Sequence, residues 1–275
     1  IDWKVVESIK DKAEDKGDAK KIEPLAAVEI NDIKKNKEKY TAKGVEAIKN
    51  GKVAAVLLAG GQGTRLGLDK PKGTLNVGVN KDLFLFGQLI HNLMDVVNQT
   101  GAWVPLYIMT SDKNNKDTVE FFEEHNYFGY DKDYVKFFIQ SMVPSVDYNG
   151  KLYMESTDSL AMSPNGNGGW FLSLIAAGLD KDMQDKGIEY VNVFAVDNIL
   201  QRIADPAFIG ATILAGAECG SKVVRKCEPA EKVGVMCRVN GHPSIIEYYE
   251  MSEELASLRR EDGAVSYTHL TLPTN

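Results

Sequence analysis

An unbroken apolar run, Val53 to Leu58, stops abruptly at Ala59-Gly60-Gly61-Gln62-Gly63, and this junction constrains the fold more than any other part of the chain. Six consecutive apolar residues show no alternation, so both faces of the segment need cover, as in a strand of a parallel α/β sheet. The glycines that follow open a loop whose N–H groups can approach an anion closely. A residue without Cβ admits that approach and takes φ > 0 without strain. Arg65 and Lys72, the latter within Pro71-Lys72-Gly73, then supply positive charge where phosphate oxygens would sit. The junction reads as a nucleotide-handling loop.

Two familiar phosphate loops do not fit it. The G-x-x-x-x-G-K-[ST] pattern has no match, because no glycine stands in register before a Lys-Ser or Lys-Thr pair. The dinucleotide pattern G-x-G-x-x-G fits at Gly61 and Gly63 but meets Leu66 at its third position, with the glycine one residue late at Gly67. Each of those glycines answers a separate packing demand, so the slip counts against a nicotinamide-binding domain. What remains, Gly60-Gly61-Gln62-Gly63-Thr64-Arg65 with Pro71-Lys72-Gly73, resembles the signature of the sugar-nucleotide pyrophosphorylases. These are uridylyltransferases that join UTP to a sugar 1-phosphate.

Composition narrows the partners. A chain of 275 residues with 44% hydrophobic and 26% charged residues can bury a full core as one large domain or two modest ones. A net charge of −7 argues against nucleic acid as a general partner, without preventing a local basic pocket. No window approaches the apolar length of a membrane span, and the start, Ile1-Asp2-Trp3-Lys4, has neither a signal-peptide core nor a Met. Cys219, Cys227 and Cys237 are odd in number and lack C-x-x-C spacing, which suits reduced thiols in a cytoplasmic protein. The scattered histidines, His91, His125, His242 and His269, support neither a metal cluster nor a Ser-His-Asp arrangement.

Residues 1–50 are rich in Lys, Asp and Glu, with Trp3, Val6 and Ile9, then Val45 and Ile48, at helical spacing. They predict two or three helices beside the main domain, one of them broken at Pro24. From residue 51 strands and helices alternate. Strands are expected at Val53–Leu58, 105–110, Val135–Ile139 and 190–196. Helices are expected with a face at Leu83, Phe86, Leu89, Ile90, Leu93 and Val97, and at 118–125 and 170–179. The pattern predicts a mostly parallel α/β sheet whose ligands bind beyond the carboxyl ends of the strands. Segments 222–224, 233–239 and 244–249 then predict an antiparallel extension of that sheet.

Several polar residues stand where that rule places a ligand. Gln140 ends the Phe137-Phe138-Ile139 strand with an amide that can both donate to and accept from a uracil edge. Ser163-Pro164-Asn165-Gly166-Asn167-Gly168-Gly169 is a second glycine-rich loop, readable as a surface turn or as a backbone platform under a base or sugar. Asp197 follows the strand 191–196 and suits Mg²⁺, which takes one or two carboxylates plus phosphate oxygens; its other reading is a cap on a helix at 199–204. Glu247, beside Tyr248 at the end of the last clear strand, can accept from sugar hydroxyls.

Taken in order, Leu58-Ala59-Gly60-Gly61 with Arg65 and Pro71-Lys72-Gly73, Phe137-Phe138-Ile139-Gln140, Pro164-Asn165-Gly166-Asn167-Gly168-Gly169, Val196-Asp197-Asn198, and Val233-Gly234-Val235 with Glu247-Tyr248 resemble the eukaryotic UDP-N-acetylhexosamine pyrophosphorylases. The resemblance runs over residues 20–263. It implies a Rossmann-like nucleotidyltransferase core with a mostly parallel mixed sheet plus N-terminal helices. The activity implied joins UTP and N-acetylglucosamine 1-phosphate to give UDP-N-acetylglucosamine and pyrophosphate, with Mg²⁺ as cofactor. By the same resemblance Leu58, Ala59, Gly60, Gly61 and Gln140 would hold uridine, and Gly166 and Asn167 the nucleotide–sugar junction. Glu247 and Tyr248 would hold the sugar, and Arg65 and Lys72 would neutralise the triphosphate.

The chain departs from the family beyond Gly263, where Ala264 to Asn275 is expected to be a foreign tail. The organisation expected is therefore a helical segment at 1–50, an incomplete core at 51–263 and the tail at 264–275. Tyr249 stands where the family more often carries a small residue. The alternatives are a pyrophosphorylase for glucose or galactose 1-phosphate, or a UTP-binding module without efficient turnover.

Overall fold

The computed structural model describes residues 21–25, 27–63, 67, 69–147 and 149–257, and the backbone of 268–270. In chain order its elements are strand β1 (Ile22–Pro24), helices α1 (Ile30–Lys35) and α2 (Lys37–Lys49), and strand β2 (Val53–Leu58). Helix α3 (Leu85–Thr100), strand β3 (Leu106–Thr110), helix α4 (Asn115–Glu124) and strand β4 (Val135–Ile139) follow. Next come strands β5 (Met142–Pro144) and β6 (Met162–Pro164), helices α5 (Trp170–Ala176) and α6 (Leu179–Asp185), strand β7 (Tyr190–Ala195) and helix α7 (Pro206–Leu214). The last are strands β8 (Val223–Arg225), β9 (Val235–Val239) and β10 (His242–Ile246), helix α8 (Glu253–Ser257) and strand β11 (Thr268–Leu270).

Strand β2 is central, as its composition requires. It pairs in parallel with β3 on one side and β7 on the other, in a sheet ordered β4-β3-β2-β7. Its residues alternate between two cores. Val53, Ala55 and Leu57 join a cluster with Phe86, Leu89, Ile90 and Leu93 of α3, while Ala54 and Val56 pack with Tyr107, Met109, Phe138, Leu174 and Met183. Helix α3 earns its place by spacing: Phe86, Leu89, Ile90, Leu93 and Val97 are all buried. Full burial of a side chain of that size contributes about 1.5–3 kcal/mol. Leu83, expected on the same face, precedes the helix, which starts at Leu85.

Helix α6 is fastened to the back of the sheet by one carboxylate. Asp182 accepts from the Tyr107 hydroxyl at 2.6 Å, from Lys136 Nζ at 2.6 Å and from Lys186 Nζ at 2.5 Å. Burial pushes the Asp182 carboxyl up, but the hydrogen bonds from Lys136, Lys186 and Tyr107 prevail and hold it well below the usual carboxylate range. Burial, reinforced by Asp182, in turn raises the Tyr107 phenol far above its ordinary value. The expected helix over 170–179 is split into α5 and α6, because Gly178 adopts a left-handed conformation (φ 71°).

The described chain forms two compact units, one within Lys39–Leu214 and one joining the described residues of 16–38 to those of 215–275. The expected boundary near residue 50 does not coincide with this division. In the second unit β9 pairs antiparallel with β1, β10 and β11, and β11 with β8. The segments expected to extend the main sheet are therefore strands of a separate five-stranded sheet. Pro24 does not break a helix but pairs with Cys237 in β1, a strand that among the described residues is bonded on one side, where a missing N–H costs no ladder bond. Helices at 30–35 and 37–49 agree with expectation, and Ile48 is buried; the positions Trp3, Val6 and Ile9 lie outside the described residues. Thr268–Leu270, within the segment expected to be foreign, is paired with β8 and β9. Among the described residues no helix is long and apolar enough to cross a membrane.

Candidate nucleotide site

The carboxyl ends of the four parallel strands finish level with one another: Leu58 pairs with Met109 and Ala195, and Thr110 with Ile139. Every predicted nucleotide-site residue among the described ones emerges from that edge or folds back to it. Leu58 closes β2, and its carbonyl accepts from the Val196 N–H at 3.2 Å. Ala59 is buried, and its N–H donates to the Met109 carbonyl at 2.8 Å. Beyond it the chain leaves the sheet and returns, closed by the pairing of Gln62 with Pro71 and by the Gly63 N–H on the Lys70 carbonyl at 3.1 Å. This closure returns Lys72 to the strand end from which the loop left. Arg65 lies outside the described residues.

Gly60 is required by a close approach. A Cβ built there would stand 2.6 Å from Gln140 Nε2 and 2.9 Å from Oε1, so the Gln140 amide rests directly on the Gly60 backbone. Gln140 is itself buried, and its N–H donates to the Thr110 carbonyl at 2.8 Å. At Gly61 a Cβ would meet nothing within 4 Å, so that backbone borders open space.

The second glycine loop is drawn to the same place. Met142 pairs with Pro164 in the β5–β6 ribbon, and the Asn165 N–H donates to the Ser141 carbonyl at 3.1 Å. Buried Ser173 of α5 accepts from the Ser141 N–H at 2.9 Å and donates to the Gly169 carbonyl at 2.9 Å. Gly166 and Asn167 are thereby held beside the turn that carries Gln140. Nothing in the sequence separated this ribbon from an irregular loop, because each strand is three residues long, β5 is half-buried and β6 exposed.

At the other end of the first loop the 3₁₀ turn Lys72–Thr74 is wedged against the core. A Cβ at Gly73 would lie 2.2–2.3 Å from three atoms of the Phe86 ring. Lys72 Nζ stands 2.6 Å from Asp197 Oδ1, with side chains only 18% and 22% exposed. That contact is a charge pair rather than an aligned hydrogen bond, for Oδ1 is buried with no hydrogen-bond donor in line. Asp197 does not cap a helix at 199–204, because that stretch is irregular and the next helix starts at Pro206. Asn92 of α3 instead holds it from below, its Nδ2 donating to the Ile199 carbonyl at 2.8 Å and the Gln201 carbonyl at 3.2 Å.

Glu247 and Tyr248 belong to the second unit. They follow β10 in a turn where the Glu247 N–H donates to Glu250 Oε2 and the Glu250 N–H to the Glu247 carbonyl, both at 2.9 Å. Gly234 leaves room for the Glu247 carboxylate, which would stand 3.2 Å from a Cβ there. The exposed Tyr248 ring meets Tyr249 edge-on at 5.3 Å.

One site residue escaped the sequence reading. Asn114, completely buried in the turn after β3, donates from Nδ2 to the Ala59 carbonyl at 3.0 Å and the Gly61 carbonyl at 3.3 Å. Its Oδ1 accepts from the Ser111 N–H at 2.8 Å. Its place after a strand end was a signal; its inward aim was not, since Asn before a helix ordinarily reads as a cap.

Comparison with known proteins bears on the family and the fold. The chain is 44% identical over 237 residues to the human UDP-N-acetylhexosamine pyrophosphorylase-like protein 1, covering 84% of this chain and 47% of that protein. It is 42% identical over 238 residues to the UDP-N-acetylglucosamine pyrophosphorylase of Saccharomyces cerevisiae, covering 85% of this chain and 50% of that one. The crystal structure of the uridine diphosphate N-acetylglucosamine pyrophosphorylase from Trypanosoma brucei superposes with a TM-score of 0.82 at 33% identity, over 90% of this chain and 53% of that one. The chain thus spans about half the length of the curated relatives it matches and shares their nucleotidyltransferase fold. Residues 4–263 match the family model described as UTP–glucose-1-phosphate uridylyltransferase, and the chain belongs to that family.

Proposed function

We propose that this chain carries the UTP site of a uridylyltransferase that makes UDP-N-acetylglucosamine and pyrophosphate from UTP and N-acetylglucosamine 1-phosphate. The observation that supports it best is the pairing of two features on one loop. The Gln140 amide lies on the Gly60 backbone at one end, and the Lys72–Asp197 charge pair lies at the other. A base reader and a phosphate-charge centre joined by a glycine loop match a nucleoside triphosphate lying along it. The names of the relatives at 42–44% identity favour N-acetylglucosamine as the sugar.

In this reading the Gln140 side chain accepts from the uracil N3–H and donates to a ring carbonyl, with Leu58 to Gly61 against the base. Gly166 and Asn167 lie at the junction with the sugar. By the resemblance alone, Glu247 and Tyr248 of the second unit would serve the sugar. An oxygen of the sugar phosphate, already ionised at neutral pH, attacks the α-phosphorus in line. The bond to the bridging oxygen breaks, and pyrophosphate leaves. No proton transfer is needed. Lys72 and Arg65 act by opposing the charge that builds on the phosphates.

Asp197 fits a Mg²⁺ ion that arrives with the nucleotide. Among the described residues no three His, Cys, Asp or Glu side chains cluster to form a cage. A single carboxylate with phosphate oxygens suits this ion, and the buried Oδ1 of Asp197 lacks an aligned donor. Bound there, Mg²⁺ would offset charge on the departing pyrophosphate. Because Lys72 and Asp197 hold each other, the triphosphate would take the cation as the metal takes the carboxylate. Isothermal titration with UTP and Mg²⁺, repeated with UDP-N-acetylglucosamine, tests the proposal: saturable binding of both is expected, and binding of neither refutes it.

A further inference from the structure

The turn after β3 ties together the two parts of the base site. On one side Asn114 reaches under β2, and its amide spans the Ala59 and Gly61 carbonyls that flank Gly60. On the other side Thr110 Oγ1 lies 2.7 Å from Asn115 Oδ1 and 3.1 Å from the Phe138 carbonyl, either of which takes its single proton, beside the strand that ends at Gln140. The order β4-β3-β2 puts this turn between the glycine loop and Gln140. Asn114 thus ties the glycine loop to the end of β3, the strand whose Thr110 carbonyl accepts from the Gln140 N–H.

We propose that Asn114 is the positioning residue for base selection, acting without touching the nucleotide. Its two donated hydrogen bonds set the separation between the Gly60 backbone and the Gln140 amide, and that separation sets which pyrimidine edge fits. This inference rests on the reading of the loop as a UTP site. Three features support it. The Asn114 side chain is wholly buried, so its hydrogen bonds do not compete with water. Its bonds go to the Ala59–Gly60 and Gly61–Gln62 peptides, so the backbone is held at two points, before and after Gly60. Gly60 has no clearance from Gln140, so a small tilt of the backbone is transmitted directly to the amide that would read the base.

Selection by hydrogen bonding demands such rigidity. A site built to satisfy a polar edge rejects the wrong one strongly, because mismatched buried groups lose partners. The rejection fades when the groups can shift to accommodate the mismatch. Cytosine presents a donor and an acceptor where uracil presents the reverse, and a loosened Gln140 amide could turn over to serve it.

The test is calorimetric titration of the protein and its Asn114→Ala variant with Mg²⁺–UTP, Mg²⁺–CTP and inorganic pyrophosphate. The unaltered protein should favour UTP over CTP; if it binds no UTP, the nucleotide reading itself fails, separately from this inference. In Asn114→Ala the UTP-to-CTP preference should fall about tenfold, the equivalent of one lost hydrogen bond of roughly 1.4 kcal/mol. Pyrophosphate affinity should change less than about threefold, within the reach of half a hydrogen bond. A merely structural role would lower all three affinities together and leave the preference intact, and that result overturns the proposal. Should Asn114→Ala not fold, Gly60→Ala changes the same separation from the opposite side, since its Cβ would displace Gln140. A normal UTP-to-CTP preference in Gly60→Ala would equally overturn it.

Discussion

Replacing Gly73 by Ala tests the link between the hydrophobic core and the phosphate end of the site. The new methyl would sit 2.2–2.3 Å from three atoms of the Phe86 ring, against an ordinary carbon contact of about 3.5–4.0 Å. Relief therefore needs a movement of more than ~1 Å. The ring has little freedom to move, being fully buried and 5.0 Å from Phe122 and 6.3 Å from Phe121, centroid to centroid. Overpacking of this kind costs about 1–3 kcal/mol, and the rigid neighbours put Gly73→Ala in the upper half of that range. For a unit of this size each kcal/mol lowers the melting temperature by roughly 2–4 °C, so a loss of about 4–12 °C is expected in thermal denaturation. Phe86→Leu in the same chain should restore part of it, with the double variant at least ~1 kcal/mol more stable than additivity predicts. If the turn yields instead of the ring, Lys72 moves with it, and UTP affinity falls while stability is retained. A variant with unchanged melting temperature and unchanged UTP affinity would refute the close approach.

Three further outcomes follow from single side chains. Lys72→Ala should lower turnover by about a hundredfold while weakening uridine binding little, as expected of charge stabilisation in the transition state; equal losses in steady-state rate and in uridine titration would remove that role. Asp197→Asn should strengthen pyrophosphate binding measured in EDTA, because Lys72 loses one competing partner, and unchanged or weaker binding would mean the charge pair does not restrain the cation. Asp182 has a folded carboxyl well below its ordinary range, so the stability it contributes is present above about pH 4 and is lost as the pH falls toward its lowered value. Denaturation of Asp182→Asn at neutral pH should show a loss of about 2 kcal/mol, with the gap to the parent closing in acid; a gap independent of pH would exclude the linkage.

Much of the first unit was legible in the sequence, and for a local reason. Val53–Leu58 and Val135–Ile139 coincide with β2 and β4, because an apolar run bounded by glycine or polar residues is complete within itself. The α3 face was readable from helical spacing, and the strand-end rule placed Gln140 and Asp197 at one edge of the sheet. The misses share a different cause. β1 exists only because β9 offers a partner more than 200 residues away, and Ile22-Glu23-Pro24 has no periodicity of its own. The separate sheet of β8 to β11 and the β5–β6 ribbon are likewise matters of which strand meets which.

Sequence alone determined the chemistry available to this protein: a glycine loop, its cations, an amide and a carboxylate at the ends of apolar strands, in an order that identified the family. Only the tertiary structure decided that Lys72 and Asp197 neutralise each other, that Gln140 rests on Gly60, and that Asn114 holds the loop from within. Residue types and periodicity record what each segment can bury or donate. Which donor meets which acceptor is settled by contacts between segments far apart in the chain, where the cost of leaving a buried polar group unpaired selects a single arrangement.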